Sequence, residues 1–380
     1  MRPTGTIPCD GTSSSEVDVP HIGWLRFPTA DVVLSHLREG SFEFREQAFV
    51  YSFLKPNDVF LDVGAHAGLF CAIALQVLGP AGRIHAVEPN PDILPYLRAN
   101  VRSPKLTLHE AAVSDQTGES LLAQGDSTHT AFSSIAYDLD MDRRVTVRTK
   151  TLDDLLEAEK LGAVALAKLD VEGSEMRVLR GAQKTLRSRA ILAFLVEFTE
   201  ENLRKAGYSS PELYSELASY GYGAFKLDHD RVGLIPYEIA GSVQYENFVF
   251  TYDPELVQRR LNDTSHDRRR VATDIVNRGL AIEKLINSIG FLEGENVKRL
   301  RLMDALTAEL QARDRLLEEQ KAELFARGVE DAKRINLINE LTHHLEGRAN
   351  IIQELEKQLT PPGEITKPAR ETHNTEKGNG

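Results

Sequence analysis

Up to Asp253, apolar residues come in two kinds of block. Short uninterrupted runs read as strands buried on both faces: VFLDV (59–63), RIHAVE (83–88), LTLHEAAV (106–113), VALAKLDV (164–171) and AILAFLVEF (190–198). Stretches with helical spacing separate them. These are LFCAIALQVL (69–78), stopped by Gly79-Pro80, PDILPYLRANV (91–101), LDDLLEAEKL (152–161) and SEMRVLRGAQKTLRS (174–188). A strand at VTVRTK (145–150), a helix at PELYSELASYG (211–221) and strands at GAFKLD (223–228) and ENFVFTY (246–252) complete the series. Strands alternating with helices predict an α/β fold, a doubly wound, mostly parallel sheet with helices on both faces. Ahead of it, Val33, Leu37, Phe49, Val50 and Phe53 predict one or two helices over 30–54, broken at Gly40-Ser41.

Beyond Asp253 the pattern changes. Charges rise, DRRR stands at 267–270, and from Met303 one position recurs every seven residues through Leu310, Leu317, Leu324, Asp331, Ile338, Leu345, Ile352 and Leu359. All of these except Asp331 are apolar. The companion position three residues on is broken by Arg313, Gln320, Arg327, Arg334 and Arg348. This predicts a long α-helical coiled-coil segment, tight at its ends and weak in the middle, that self-associates or binds a partner helix through 303–359. A solvated helical arm is the other reading of the same stripe. The expected organisation is a flexible tail over 1–29, the α/β domain over 30–253, a linker over 254–275, the helical segment over 276–360 and a disordered tail over 361–380.

Composition narrows the classes. The balance of 57 acidic against 45 basic side chains, a net charge of −12, argues against nucleic acid as a partner, because phosphate recognition needs a basic surface. Two cysteines, Cys9 and Cys71, support neither a disulfide framework nor a cysteine metal site. No apolar run reaches the length of a membrane span, and the polar N-terminus lacks the apolar core of a signal peptide. A cytoplasmic location is the expectation.

The stretch VFLDVGAHAGLF (59–70) carries the first chemistry. A strand ending in a glycine-rich turn before a helix gathers main-chain N–H groups and a helix N-terminus at one spot. Gly64 and Gly68 do not make the G-x-G-x-x-G spacing of a nicotinamide pyrophosphate cradle, which disfavours an oxidoreductase. Asp62, just before the turn, would repel a pyrophosphate and suits a cationic ligand. Glu88 ends the next strand, where an acidic residue binds a ribose in dinucleotide folds. Together they point to S-adenosylmethionine, with its sulfonium, ammonium and ribose hydroxyls.

Residues 30 to 253 resemble the FkbM-type S-adenosylmethionine-dependent methyltransferases in LREGSFEFREQAFVYSFLKPNDVFLDVGAHAGLF, AVEPNPDIL, AAVSDQTGE, VTVRTKTLDDLL, LAKLDVEGSEMRVLRGA and FLVEF, taken in that order and spacing. The resemblance implies a Rossmann-like class I methyltransferase fold of seven strands, the last antiparallel. It implies transfer to oxygen, usually a hydroxyl of a sugar, glycan or polyketide. It also implies that Asp62, Gly64, Ala65, His66 and Gly68 line the methionine end, that Glu88 and Asn90 hold the ribose, and that Ser114 and Asp115 lie near the adenine. His66 stands where the family often has Asn.

A hydroxyl acceptor needs a group to take its proton. KLDVEGSE (168–175) offers Asp170 and Glu172 at a strand end, with Glu175 in the first turn of the following helix; the same residues serve as turn and cap formers. Glu197, flanked by apolar residues, would be a base of raised pKa if buried. Lys168 is placed to pair with one of these acids. No metal is expected, since no dedicated metal motif is present, although clustered carboxylates bind magnesium. The loop 123–144 carries His129 and lies where insertions shape substrate sites. The leading expectation is a methyltransferase acting on a hydroxyl-bearing small molecule or glycan. The other is a catalytically silent adenosyl-binding module serving as a coiled-coil scaffold in a biosynthetic complex.

Overall fold

A computed structural model of the chain describes residues 14–124, 134–135, 143–228 and 231–290, with 312, 315 and 319 beyond them. His129, the heptad positions from Met303 onward and the tail 361–380 lie outside the described residues.

Strands β1 (Ser14–Val19) and β2 (Gly23–Pro28) form a hairpin, followed by helices α1 (Val32–Glu39) and α2 (Phe44–Phe53). The alternating part runs β3 (Val59–Val63), α3 (Leu69–Val77), β4 (Arg83–Val87), α4 (Leu94–Asn100), β5 (Leu106–His109), β6 (Ala112–Val113), β7 (Gly118–Ala123), β8 (Arg144–Lys150), α5 (Leu152–Ala158), β9 (Val164–Leu169), α6 (Glu175–Arg180), α7 (Gln183–Ser188) and β10 (Ile191–Thr199). It closes with α8 (Glu200–Lys205), α9 (Ser210–Ser219), β11 (Gly223–Leu227), β12 (Leu234–Pro236), β13 (Tyr245–Thr251), α10 (Pro254–Asn262) and α11 (His266–Gly290).

The main sheet has the order β12-β11-β13-β10-β9-β3-β4-β5. From β10 to β5 the strands are parallel, and β13 inserts antiparallel beside β10. The sheet thus has eight strands where seven are expected, because the short β12 adds to the outer edge of β11. The chain winds outward from β3 to β5, then returns to place β9 on the other side of β3. That makes the β3/β9 boundary the topological switch point, where a crevice opens beyond the strand tips. Val59–Val63 and Val164–Leu169 are buried throughout, as both-faces-covered strands require. Among the described residues no helix is long and apolar enough to cross a membrane.

Several expectations change. The run 106–113 breaks at Glu110, because β5 ends its pairing with β4 at His109 and β6 departs to pair with β8. The strand 145–150 therefore belongs to a separate three-stranded sheet, β6-β8-β7. The helix over 174–188 is two, α6 and α7, meeting at Gly181, whose missing Cβ would stand 2.1 Å from the carbonyl oxygen of Ser114.

Residues 14–28, expected within a flexible tail, alternate so that Val17, Val19, Leu25 and Phe27 enter the core. The stretch 254–275, expected as a linker, is helical. Its high charge hides an amphipathic face: Val257 and Leu261 join the main core, and Ala272 and Val276 pack on Ala48 of α2. The Asp253 carboxylate caps α10 by accepting from the Leu256 N–H at 2.8 Å. Arg45 of α2 makes a two-pronged pair with Glu283 of α11, at 3.1 and 2.8 Å.

Candidate active site

A cavity opens at the switch point. The turn after β3 supplies Gly64, Ala65 and His66 to its wall, the tip of β4 supplies Glu88, the tip of β9 supplies Lys168, Asp170 and Glu172, and the turn before α2 supplies Glu43. Apolar walls come from Phe27, Phe70, Ala112, Val113, Leu122 and Ile135.

The turn after β3 is shaped by close packing. Gly64 has φ +85°, and a Cβ there would lie 1.8 Å from the carbonyl oxygen of Asp170. Only glycine lets the β3 turn pass so near the β9 tip, which brings Asp170 to the same cavity. Gly68, at φ +87°, starts α3, and a Cβ on it would meet Val101 Cγ2 at 2.8 Å. Its role is therefore helix–helix approach. His66, at φ +49°, has its Nε2 3.2 Å from Asp31 Oδ2. Burial alone would lower the pKa of this imidazole. The Asp31 hydrogen bond and charge, with Glu88 and Asp170, outweigh burial and raise it.

Glu88 is held from two sides. Its Oε2 accepts the His66 N–H and its Oε1 the Asn90 N–H, each at 2.8 Å. Burial raises its pKa, and these two hydrogen bonds and His66 oppose the rise. Asn90 stands behind it: its Oδ1 accepts from Asp92 N and from Gln124 Nε2, so it orients the turn and does not face the cavity.

Asp62 points inward. It is 2% exposed, its Oδ2 accepts from Cys71 Sγ at 3.1 Å, and it is absent from the cavity wall. Burial pushes its pKa up to about 6 against the pull of Lys168. Ser114 and Asp115 follow β6, with the Ser114 hydroxyl on Asp115 Oδ1 at 3.0 Å, and neither lines the cavity.

The β9 and β10 tips gather the acids. Lys168 Nζ lies 2.5 Å from Asp170 Oδ2, 3.7 Å from Glu43 Oε2 and 4.6 Å from the Phe70 ring centre. Burial would lower the Lys168 pKa, but Asp170, Glu43 and Asp62 raise it, so the ammonium stays charged. Burial pushes Glu43 up to about 8, with Lys168 opposing. Glu172, at φ +50°, gives Oε2 to Asn202 Nδ2 at 2.6 Å. Glu175 accepts from the N–H groups of Val171 and Gly173, both at 3.2 Å, and so fixes the turn that presents Glu172. Glu197 faces Asn247 across the β10–β13 pair and is buried. Its pKa, like that of Glu172, stands well above the usual range, first from burial and then from neighbouring carboxylates.

Glu43 and Asp31 escaped the sequence reading. Both sit in short polar turns far along the chain from Lys168 and His66 respectively, and nothing in their spacing connects them. Three residues of the cavity wall, Glu43, His66 and Glu172, hold a left-handed backbone without being glycine, a strain that sites tolerate when packing imposes it.

S-adenosylmethionine fits this wall. The aimed Glu88 carboxylate suits ribose hydroxyls, the apolar wall suits an adenine ring, and the acidic tip of β9 suits a sulfonium.

Residues 62–223 match the model of the methyltransferase FkbM domain. The chain is 31% identical over 160 residues to 31-O-demethyl-FK506 methyltransferase FkbM of Streptomyces tacrolimicus, spanning 34% of this chain and 61% of that protein. It is 27% identical over 175 residues to 2-O-methyltransferase NoeI of Sinorhizobium fredii (strain NBRC 101917 / NGR234), spanning 42% of this chain and 67% of that protein. A TehB-like S-adenosylmethionine-dependent methyltransferase from Corynebacterium glutamicum overlaps 57% of this chain and 92% of its own at a TM-score of 0.33 and 12% identity. Over residues 62–223, then, this chain is similar to the FkbM-type, S-adenosylmethionine-dependent methyltransferases.

Proposed function

We propose that the protein transfers a methyl group from S-adenosylmethionine to a hydroxyl oxygen of a small molecule or glycan. The observation that carries this is the Glu88 carboxylate, pinned by two main-chain N–H groups at the tip of β4 and open to the cavity. When bound, the donor supplies a methyl group on a positively charged sulfur. Glu88 takes the ribose hydroxyls. Gly64, Ala65 and His66 follow the methionine part, and the Asp31 hydrogen bond fixes the His66 ring. Asp62 shapes the turn from behind, through Cys71, and Asn90 does so through Glu88. Gly68 packs the following helix.

Asp170, Glu172 and Glu197 form the acceptor end. Bound there, the donor would supply the methyl group for a new C–O bond, and a carboxylate at this end would take the hydroxyl proton. Glu43, at about 8, lies near the operating pH, where a base takes up and returns a proton most readily. Holding the two reactants in line supplies much of the rate. The homologues named above act on oxygen, by their names, and they support this choice of acceptor atom. The chain spans 61% of the first of them, so the acceptor itself is proposed as a class.

Calorimetry tests the reading. S-adenosylmethionine should bind the full chain, and Glu88→Ala should weaken it roughly 30-fold or more, the loss expected from removing about 2 kcal/mol of charge-assisted hydrogen bonding. Unchanged affinity in Glu88→Ala, or a preference for NAD, would overturn it.

A further inference from the structure

Away from the cavity, two histidines are buried among apolar residues on one face of the sheet. β4 and β5 pair in parallel, with His85 opposite Thr107 and Val87 opposite His109. Residues two apart along a strand share a face, so His85 and His109 lie side by side there. Their neighbours Leu61, Val63 and Val87 belong to the apolar core. The two histidines are 2% and 6% exposed, and their rings are nearly parallel at 18°, with His85 Nδ1 3.2 Å from His109 Nε2. Glu159, which caps the end of α5, brings a carboxylate oxygen within 4.8 Å of a nitrogen of each ring.

A hydrogen bond between the rings accounts for only part of this. It uses one nitrogen of each ring and leaves His85 Nε2 buried with no partner among the described residues. Buried polar atoms are ordinarily satisfied. No hydrogen-bond network of its own holds the His85 ring, so its alignment with His109 needs another cause. A zinc ion supplies one. Zinc–nitrogen bonds of about 2.0–2.1 Å at a tetrahedral angle put two ligand nitrogens about 3.3 Å apart, close to the spacing seen here. Two imidazoles and a carboxylate are one of the recurrent three-residue ligand sets of zinc. Burial lowers the pKa of both rings, to about 4 at His85, which keeps them in the neutral form that binds metal. The local charge also suits a cation, because Glu159 counts for more than Arg83 at His85 and for more than Lys150 at His109.

We infer that His85, His109 and Glu159 bind a zinc ion, with a fourth position open to water. Glu159 is half-buried, which gives the ion a route from solvent. None of the three lines the cavity at the switch point, so the ion is independent of the proposed reaction. It would fasten the edge strand β5 to β4 and to the end of α5. It would also stiffen the ground behind Glu88, whose N–H donates to the His109 carbonyl at 3.1 Å. The sequence shows no metal motif because the three ligands come from three elements, with no local spacing to mark them.

The test is titration of cobalt and zinc into the full, metal-stripped chain. One equivalent of cobalt should develop the visible bands of a tetrahedral site, and zinc should displace it. His109→Gln should weaken zinc binding roughly tenfold or more. Should that variant fail to fold, as judged by circular dichroism, Glu159→Gln at the half-buried helix end is expected to give the same loss. Zinc should also raise the melting temperature of the wild-type chain, and Glu159→Gln should remove that shift. No tetrahedral cobalt spectrum at micromolar metal overturns the inference. So does zinc binding that both substitutions leave unchanged, which would assign the ion to histidines elsewhere in the chain.

Discussion

Burial holds the Asp62 carboxyl at about 6, above its unfolded value of 3.8. A raised pKa means the folded chain grips the proton more tightly than the unfolded chain. The stabilisation is complete below about pH 4 and is lost as pH rises through about 6. Above that, an ionised buried carboxylate costs stability. Asp62→Asn keeps the shape and an acceptor for Cys71 Sγ, so at pH 7.5 it should stabilise the chain by on the order of 1 kcal/mol. The gain should vanish near pH 4, and paired thermal melts at the two pH values would read it. A variant no more stable at pH 7.5 than at pH 4, relative to wild type, would show that Lys168 fully compensates the charge. The same substitution should alter cofactor affinity far less than Glu88→Ala, because Asp62 faces Cys71 and Glu88 faces the cavity. Both residues are acids at strand tips beside the same turn. Sequence position made them equivalent candidates, and side-chain direction separates them.

At the scale of elements, α11 bears on the site through α2. Gly279 lies against the Phe44 ring, and a Cβ there would stand 2.1 Å from Phe44 Cγ. Phe44 follows Glu43, the residue that reaches Lys168 from the α2 turn. Gly279→Leu should therefore lever α11 off α2 and destabilise the chain by about 2 to 3 kcal/mol, the usual cost of overpacking. Urea denaturation would measure it, and a midpoint equal to wild type would mean that the contact yields freely. The packing of Val257, Leu261 and Ala272 explains why 254–275 misleads as a linker. Its apolar residues are few and spaced among charges, and the face they form needs complementary residues such as Ala48 to become visible as a packing surface.

At the scale of the molecule, the chain divides after Arg301, and the described elements lie almost wholly before that point. A chain ending at Arg301 should melt within about 3 °C of the full chain, since each kcal/mol shifts a unit of this size by only a few degrees. It should also bind S-adenosylmethionine with the same affinity. If the heptad stripe from Met303 assembles, sedimentation should show the full chain as an oligomer and the shortened chain as a monomer. Equal masses would favour a solvated arm. At the β3/β9 switch point remote residues converge on one cavity: Gly64 passes under Asp170, Glu88 stands on the next strand, and Glu43 arrives from a segment placed before the whole alternation.

The alternation of strands and helices and the glycine turn after β3 were legible in the sequence because each is written locally. Continuous apolar runs mark strands covered on both faces, helical periodicity marks the layers over them, and a glycine turn marks where a strand tip meets a helix start. Only the tertiary structure decided which acids share a space. Glu197 joins Asp170 and Glu172 because β10 lies beside β9, Asp62 turns away because Cys71 takes its oxygen, and Glu43 and Asp31 enter from turns remote in the chain. Contact between remote segments depends on sheet order and packing, and neither period nor spacing along one segment encodes it.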